Sequence, residues 1–572
     1  MFARHGTKGT WYAHASVGTL HVRPILDMRR DGAVKMRAIA NEASELVRQF
    51  KGAYSGEHGD GLCRGEWIRW QFGDKIHEAF GQIKQWMDPI GLYSPSRMID
   101  PPKMDDERLF RFPSTYRVIP IETALDWSAW NVTADPVTET VSAPGTGGDP
   151  AQGFAKAVEM CNNNGHCRKF DAGTMCPSYR VTRDEQHLTR GRANTLRLAL
   201  SGQLGTQALT DPALWDTMEL CVSCKGCKRE CPTGVDMAKM KIEFTHHYKQ
   251  HHGYTFKDQL IAHLPRYAGL ASKLAPLLNL RNRWPWLARL TERVTGLSAQ
   301  RALPAWQSTH TFNTPLPGVD IASVMRAERG VVLFVDTFNG YFESDNARAA
   351  YRVLEAAGYS VHVAHRPDQH LCCGRTYLSS GMVDQARKQV RQLIDYLLPL
   401  AQQGIPIVGL EPSCLLTLRD EALQLGLGEA AHTVAKQAWL WEEFLDREHQ
   451  AGRLESLKTQ LTPAQAPFLL HGHCHQKAFD LVSPIQRVLA LIPQSSTTLI
   501  ETSCCGMAGS FGYDAKHQDV SMAMANLSLL PTIEKHPHAW VVADGTSCRH
   551  QIDHGSKRQA LHVAQVLARH LG

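Results

Sequence analysis

The sequence predicts an α+β multidomain protein: an α/β segment at the start, a helical module carrying cysteines in the middle, and a duplicated α/β region at the end. Three observations lead to this. The 572 residues exceed what one hydrophobic core organises. From residue 328 short apolar runs alternate with helical patterns, and the alternation restarts near residue 466. The fifteen cysteines fall into C-x-x-C groups and Cys-Cys-Gly triplets rather than disulfide-like intervals.

Residues 1–100 mix strand-like alternation, from Leu20 to Leu26, with helical stretches at Val34–Phe50 and Gly73–Trp86. The proline-bearing run "DPIGLYSPSRMIDPP" closes that unit. Residues 101–152 read as a linker, since "SAWNVTADPVTETVSAPGTGGDP" is rich in Thr, Pro and Gly. Residues 153–252 form a helical module with the first two cysteine groups. Residues 253–325, rich in Leu, Arg and Trp, read as a helical connector. Its Trp284, Trp286 and arginines would suit a membrane surface, but packing between domains is the preferred reading.

The duplicated region divides into residues 328–425 and 466–572. In the first half "GVVLFVD", "YSVHVA" and "IPIVGLE" are strands, separated by the helices "NARAAYRVLEAAG" and Val383–Ala401. In the second half "APFLLHGH", "TTLIET" and "AWVVADG" repeat the pattern. Short apolar strands followed by helices predict parallel sheets covered on both faces.

Composition removes several function classes. No apolar run approaches the ~20 residues that cross a bilayer. The first ten residues lack the apolar core of a signal peptide. The net charge of +6 comes without a dense basic run, which argues against nucleic acid. Clustered cysteines in a long chain with no secretory signal indicate metal or redox centres and a reducing cytoplasm, with peripheral attachment to the inner face of the cell membrane left open.

"CVSCKGCKRECP" sets Cys221, Cys224, Cys227 and Cys231 before Pro232 in the spacing C-x-x-C-x-x-C-x-x-x-C-P. Three thiolates so spaced meet the faces of a [4Fe–4S] cubane, and the fourth reaches a second cluster. A structural zinc site would use two separated C-x-x-C pairs. "CNNNGHCRKFDAGTMCP" supplies Cys161, Cys167 and Cys176, with Asn164 at the middle position. In the two-cluster pattern, Cys221, Cys224, Cys227 and Cys176 hold one cluster, and Cys161, Cys167 and Cys231 hold the other. That second site, short of one thiolate, takes either [3Fe–4S] or [4Fe–4S] with a non-cysteine ligand.

The first half of the duplicated region carries Cys372, Cys373 and Cys414, in "LCCGRTYLSSG" and "LEPSCLLTLRDE"; the second carries Cys474, Cys504, Cys505 and Cys548, in "HGHCHQKA", "TSCCGMAGSFG" and "DGTSCRHQI". Each group follows a strand, so the thiols gather at the carboxyl ends of the sheets. The region resembles the cysteine-rich CCG domains of heterodisulfide reductases and of the iron–sulfur subunits of glycolate oxidase and anaerobic glycerol-3-phosphate dehydrogenase. The resemblance implies a non-cubane iron–sulfur centre. The first half lacks an early cysteine at "FNGYFES", so such a centre belongs mainly to the second half.

Two further motifs stand near the start. "HASVGTLHVRP" is similar to the G-H-x-G-D-G-N-L-H signature of FAD-linked oxidases of the vanillyl-alcohol-oxidase type, and "SGEHGDGLCR" to their second motif. Ser16-Val17-Gly18-Thr19 replaces the usual G-D-G-N. The order of the modules looks like the fused FAD- and iron–sulfur-dependent D-2-hydroxyacid dehydrogenases, whose substrates include D-lactate and D-2-hydroxyglutarate. The resemblance implies that His14, His21 and Glu57 hold a divalent metal such as Zn or Mn, that His58 is the catalytic base, and that Arg23 pairs with a substrate carboxylate. It further implies FAD, a small 2-hydroxyacid substrate, and a quinone, cytochrome or other electron acceptor. No G-x-G-x-x-G fingerprint occurs between strand and helix. The expectation is therefore a fragment lacking its flavin domain, or a chain whose flavin domain is a separate polypeptide. A non-catalytic iron–sulfur electron-transfer subunit is the alternative.

Overall fold

A computed structural model describes residues 1–141, 145–171, 173–314, 316–366 and 370–572. Residues 142–144 of the expected linker, 172 of the cysteine module, 315 of the connector and 367–369 of the first half lie outside it. The chain forms two compact units, residues 1–118 with 132–149, and residues 119–131 with 150–572.

The first unit opens with an antiparallel hairpin. β1 (Gly9–His14) pairs with β2 (Thr19–Pro24), His14 opposite Thr19 and Tyr12 opposite His21. Gly18, at φ 65°, lets the chain turn back, a conformation that other residues adopt at a cost. The sequence indicated only the second strand, because Gly9–His14 has no apolar–polar alternation. Side chains two apart share a face. Tyr12, His14, His21 and Arg23 therefore project from one face, and Trp11, Leu20 and Val22 from the other, where all three are exposed. A helix at Gly32–Gln49 turns Ala33, Ile39 and Ala40 inward, and Phe2, Trp67 and Ile68 are buried in the same unit.

The second unit begins with residues read from the sequence as linker. Residues 119–131 are anchored: the buried Glu243 carboxylate accepts hydrogen bonds from Ala124 N, Leu125 N and the Trp127 indole at 2.7–2.9 Å. Loop-like composition did not reveal an acceptor more than a hundred residues downstream.

The connector is a succession of short helices, Phe256–Ala262, Leu264–Lys273, Ala275–Leu278, Leu280–Arg283 and Pro285–Thr295. Prolines 265, 276 and 285 sit in the first turns of three of them, where a missing N–H costs no helical bond. These helices pack through small residues, including Ala268, Ala271, Ser272, Ala275 and Ala288. The large side chains face outward: Trp286 is 60% and Leu270 65% exposed. Among the described residues no helix is long and apolar enough to cross a membrane.

Two parallel four-stranded sheets follow. β3 (Gly330–Phe334), β4 (Ser360–Val363), β5 (Ile407–Gly409) and β6 (Ala438–Leu440) lie in the order β4-β3-β5-β6. β7 (Phe468–Leu470), β8 (Thr497–Leu499), β9 (Trp540–Val542) and β10 (Ala560–Leu561) lie in the order β10-β9-β7-β8. Counted along the chain, both sheets read second, first, third, fourth, and every pairing is parallel. One apolar core runs across both halves, joining Val331, Leu333 and Phe444 to Phe468, Leu470 and Val563.

Candidate functional site

In the first unit the hairpin face and the loop after residue 54 meet at a carboxylate. Glu57 Oε1 lies 3.4 Å from His14 Nδ1, 3.2 Å from His21 Nε2 and 3.3 Å from His58 Nε2. The ligand atoms of His14, His21 and Glu57 fall within 4.8 Å of one another. The His21 and His58 rings are 4.8 Å apart. Two imidazoles and one carboxylate fit a divalent cation and leave coordination positions for a small molecule. His21 is held in place by a stacked Tyr12 ring at 4.2 Å. Arg23, expected to meet a carboxylate, donates to the Tyr12 hydroxyl at 2.5 Å and lies over its ring. Tyr12 is the residue the motif comparison missed. It stands two residues before His14, on a strand that the sequence did not indicate.

In the second unit Cys176, Cys221, Cys224 and Cys227 line one pocket. The loop reaches this arrangement through left-handed backbone at Cys176, Ser223 and Lys225, with φ between 49° and 58°. Non-glycine residues held there are strained, and such strain clusters at functional sites. Gly226 sits in a tight place, where a Cβ would stand 3.0 Å from Met175 N. Backbone amides point at the sulfurs, Thr189 N donating to Cys176 Sγ at 3.1 Å and Met237 N to Cys227 Sγ at 3.4 Å. Burial pushes the Cys224 and Cys227 thiols well up, and neighbouring thiols push them further. A set of four such thiols suits a cationic iron–sulfur cluster, which stabilises the thiolate form.

The other three predicted ligands are not gathered so clearly. Cys167 lies against Cys176, whereas Cys161 has Asn163 Oδ1 at 3.9 Å and Cys231 has Thr233 Oγ1 at 3.4 Å.

The Cys-Cys-Gly motif has a common physical basis in both halves. Gly374 and Gly506 have φ of 74° and 85°, and their N–H groups donate to Cys372 Sγ and Cys504 Sγ at 3.4 Å. A Cβ at Gly506 would stand 2.2 Å from Ser521 O. Only glycine meets both demands. In the second half the thiols of Cys474, Cys504, Cys505 and Cys548 lie one against the next. In the first half Cys372, Cys373 and Cys414 do the same, and Thr337 Oγ1, 3.9 Å from Cys372 Sγ, takes the place of the missing cysteine. The equivalence is visible in the helix caps: Asp336 caps the helix that begins at Thr337, and His473 the one that begins at Cys474. Cys224 shares an apolar cluster with Cys474, Cys504, Cys505 and Cys548, and His475 Nε2 bonds the Ser223 carbonyl at 3.1 Å. The four-thiol space and the second-half thiols thus have a common wall.

The first half joins the cysteine module through buried charge. Lys225 Nζ lies 2.7 Å from both Asp420 and Glu421, Lys228 and Lys239 also reach Asp420, and Arg375 meets Glu421 at 2.5 Å. Burial opposes the Lys225 charge, but Glu421 and Asp420 outweigh it and raise its pKa.

The hairpin site, the four-thiol space and the first-half Cys-Cys-Gly site each fall within a stretch that matches a known family, and the second-half thiols lie outside those stretches. Residues 1–98 match the family described as FAD linked oxidases, C-terminal domain; residues 157–235 the 4Fe-4S dicluster domain; and residues 336–419 the cysteine-rich domain. The D-2-hydroxyglutarate dehydrogenase of Pantoea ananatis is 26% identical across 98% of this chain, and that of Escherichia coli 25%. The chain spans 56% of the length of each. One polypeptide of the anaerobic glycerol-3-phosphate dehydrogenase of Escherichia coli is 24% identical across 55% of the chain and 78% of its own length. The chain thus carries stretches similar to the FAD-linked oxidase C-terminal, 4Fe-4S dicluster and cysteine-rich domains, and over nearly its full length it is similar to D-2-hydroxyglutarate dehydrogenases.

Proposed function

We propose that the chain is the substrate-cap and electron-transfer part of an FAD- and iron–sulfur-dependent dehydrogenase that oxidises a D-2-hydroxyacid to the 2-oxoacid. D-2-hydroxyglutarate is the favoured substrate, with D-lactate the second. The observation that carries this is the convergence of His14, His21, Glu57 and His58 within one chain that also holds the thiol-lined sites. FAD supplies hydride acceptance when bound, through a flavin-binding domain on the same polypeptide or on a partner. His14, His21 and Glu57 would hold a divalent cation, which would supply a lowered pKa to a substrate hydroxyl. His58 Nε2, beside that carboxylate, takes the hydroxyl proton, a transfer worth roughly 10²–10⁴ in rate. Arg23 and Tyr12, joined on the same face, orient the substrate carboxylate. The proposed iron–sulfur ligands are Cys176, Cys221, Cys224 and Cys227 for a [4Fe–4S] cluster and Cys161, Cys167 and Cys231 for a second. Cys474, Cys504, Cys505 and Cys548 would hold a further centre, which would supply electron transfer to a quinone, cytochrome or other carrier.

The test is turnover of D-2-hydroxyglutarate and its L enantiomer by the flavin-containing enzyme, with and without a chelator. D-selective, chelator-sensitive activity is expected. The similarity to a glycerol-3-phosphate dehydrogenase polypeptide favours a second reading, an electron-transfer subunit whose His14, His21, Glu57 group has no catalytic part. Chelator-insensitive turnover, unchanged in His58→Ala, would establish it.

A further inference from the structure

His471 stands directly after β7, where its N–H donates to Val542 O at 2.9 Å. Its side chain is 1% exposed, and neither Nδ1 nor Nε2 has a hydrogen-bond partner among the described residues. Buried polar groups in folded proteins are almost always paired, so an imidazole orphaned at both nitrogens indicates a ligand. Its surroundings supply the companions a ligand needs. A ring nitrogen of His471 and the sulfurs of Cys505 and Cys548 lie within 4.8 Å of one another. That is the separation of donors around one metal, with bonds of about 2.0–2.3 Å.

The neighbouring histidines have other tasks. His473 Nδ1 accepts from His475 N at 3.1 Å and caps a helix, and His475 bonds the Ser223 carbonyl. The two halves of the duplication make a further comparison. Aligned on the caps Asp336 and His473, Thr337 occupies the place of Cys474 and Phe334 that of His471. The half without the first thiol has no histidine at that position, and its His370 Nε2, reaching the site from another segment, is already bonded to Thr337 Oγ1 at 2.8 Å.

We infer that His471 is a nitrogen ligand of the iron–sulfur centre of the second half, beside the thiolates of Cys474, Cys504, Cys505 and Cys548. The inference rests on the reading of that half as an iron–sulfur site. Imidazole is neutral where thiolate is anionic, so an imidazole in place of a further thiolate makes the centre less negative and raises its reduction potential.

The experiment uses the full chain, purified without oxygen, with histidine at natural abundance or labelled with ¹⁵N. Pulsed electron paramagnetic resonance of the second-half centre is expected to show a strongly coupled nitrogen that changes isotope with the label. The coupling disappears in His471→Cys while iron content stays constant; His471→Asn serves if that variant does not fold. An iron-loaded protein with no histidine nitrogen coupling, or a coupling that survives both substitutions, overturns the ligand assignment. If Cys474→Ser and Cys548→Ser leave iron and sulfide contents at the wild-type level, the second half holds no centre, and the underlying reading falls as well.

Discussion

Lys225 lies between two proposed cluster ligands, yet its own partners are carboxylates of the first half. Removing one member of a buried charge set leaves the rest uncompensated. Lys225→Met should therefore destabilise the protein by about 3–5 kcal/mol. Denaturant unfolding checks this, with the partly exposed Lys228→Met expected to cost less. At the hairpin, His14→Ala removes one of three donors. It should weaken Zn or Mn binding at least ~10-fold, because even indirect supports of a metal site are worth about that much; calorimetric titration reads it. The resemblance to flavoenzyme motifs pointed to His14, His21, Glu57 and His58, and the structure brings these four together. The sequence could not show that Arg23 turns to Tyr12, since a cross-strand contact depends on a register that no local pattern specified.

At the scale of elements, β3, β4, β5, β7, β8 and β9 were legible as apolar runs, whereas β6 and β10 were not. β6 runs straight into the helix Trp441–Gln450 and β10 nearly so into the helix Val563–Arg569, so helical sequence masks both. Each became recognisable only once its partner placed it at a sheet edge. The anchored segment 119–131 was hidden for a different reason, because its order comes from Glu243 on a distant helix. Trp127→Phe deletes the indole donor and leaves that carboxylate one bond short. The expected loss is about 1–3 kcal/mol, measured by thermal or denaturant unfolding. Gly226→Ala should lower iron incorporation, because the added methyl meets the Met175 backbone where the cysteine loop closes.

At the scale of the molecule, the two halves of the duplicated region are tied across their carboxyl ends. Glu343 of the first half meets Arg549 of the second at 2.5 Å and accepts from Thr546 at 2.7 Å. Burial alone would raise the Glu343 pKa, but Arg549, His550 and Thr546 outweigh it and bring it down from 4.5 to about 2. The folded value lies below the unfolded one, so the stabilisation is complete above pH 4.5 and is lost as pH falls toward 2. It amounts to about 3 kcal/mol. In Glu343→Gln the acid limb of the stability–pH profile should flatten across that window. The duplication itself was legible as a repeat of strands, helices and Cys-Cys-Gly triplets. The shared strand order and the common apolar core emerged only from the structure. The central claim is that oxidation of a D-2-hydroxyacid delivers electrons to the thiol-bound clusters. Anaerobic mixing of D-2-hydroxyglutarate with the flavin-containing enzyme, followed by stopped-flow absorption, tests it most directly. The account predicts bleaching of the iron–sulfur bands, slowed roughly 10²–10⁴-fold in His58→Ala. Clusters that stay oxidised, or that bleach equally fast in the variant, would contradict it.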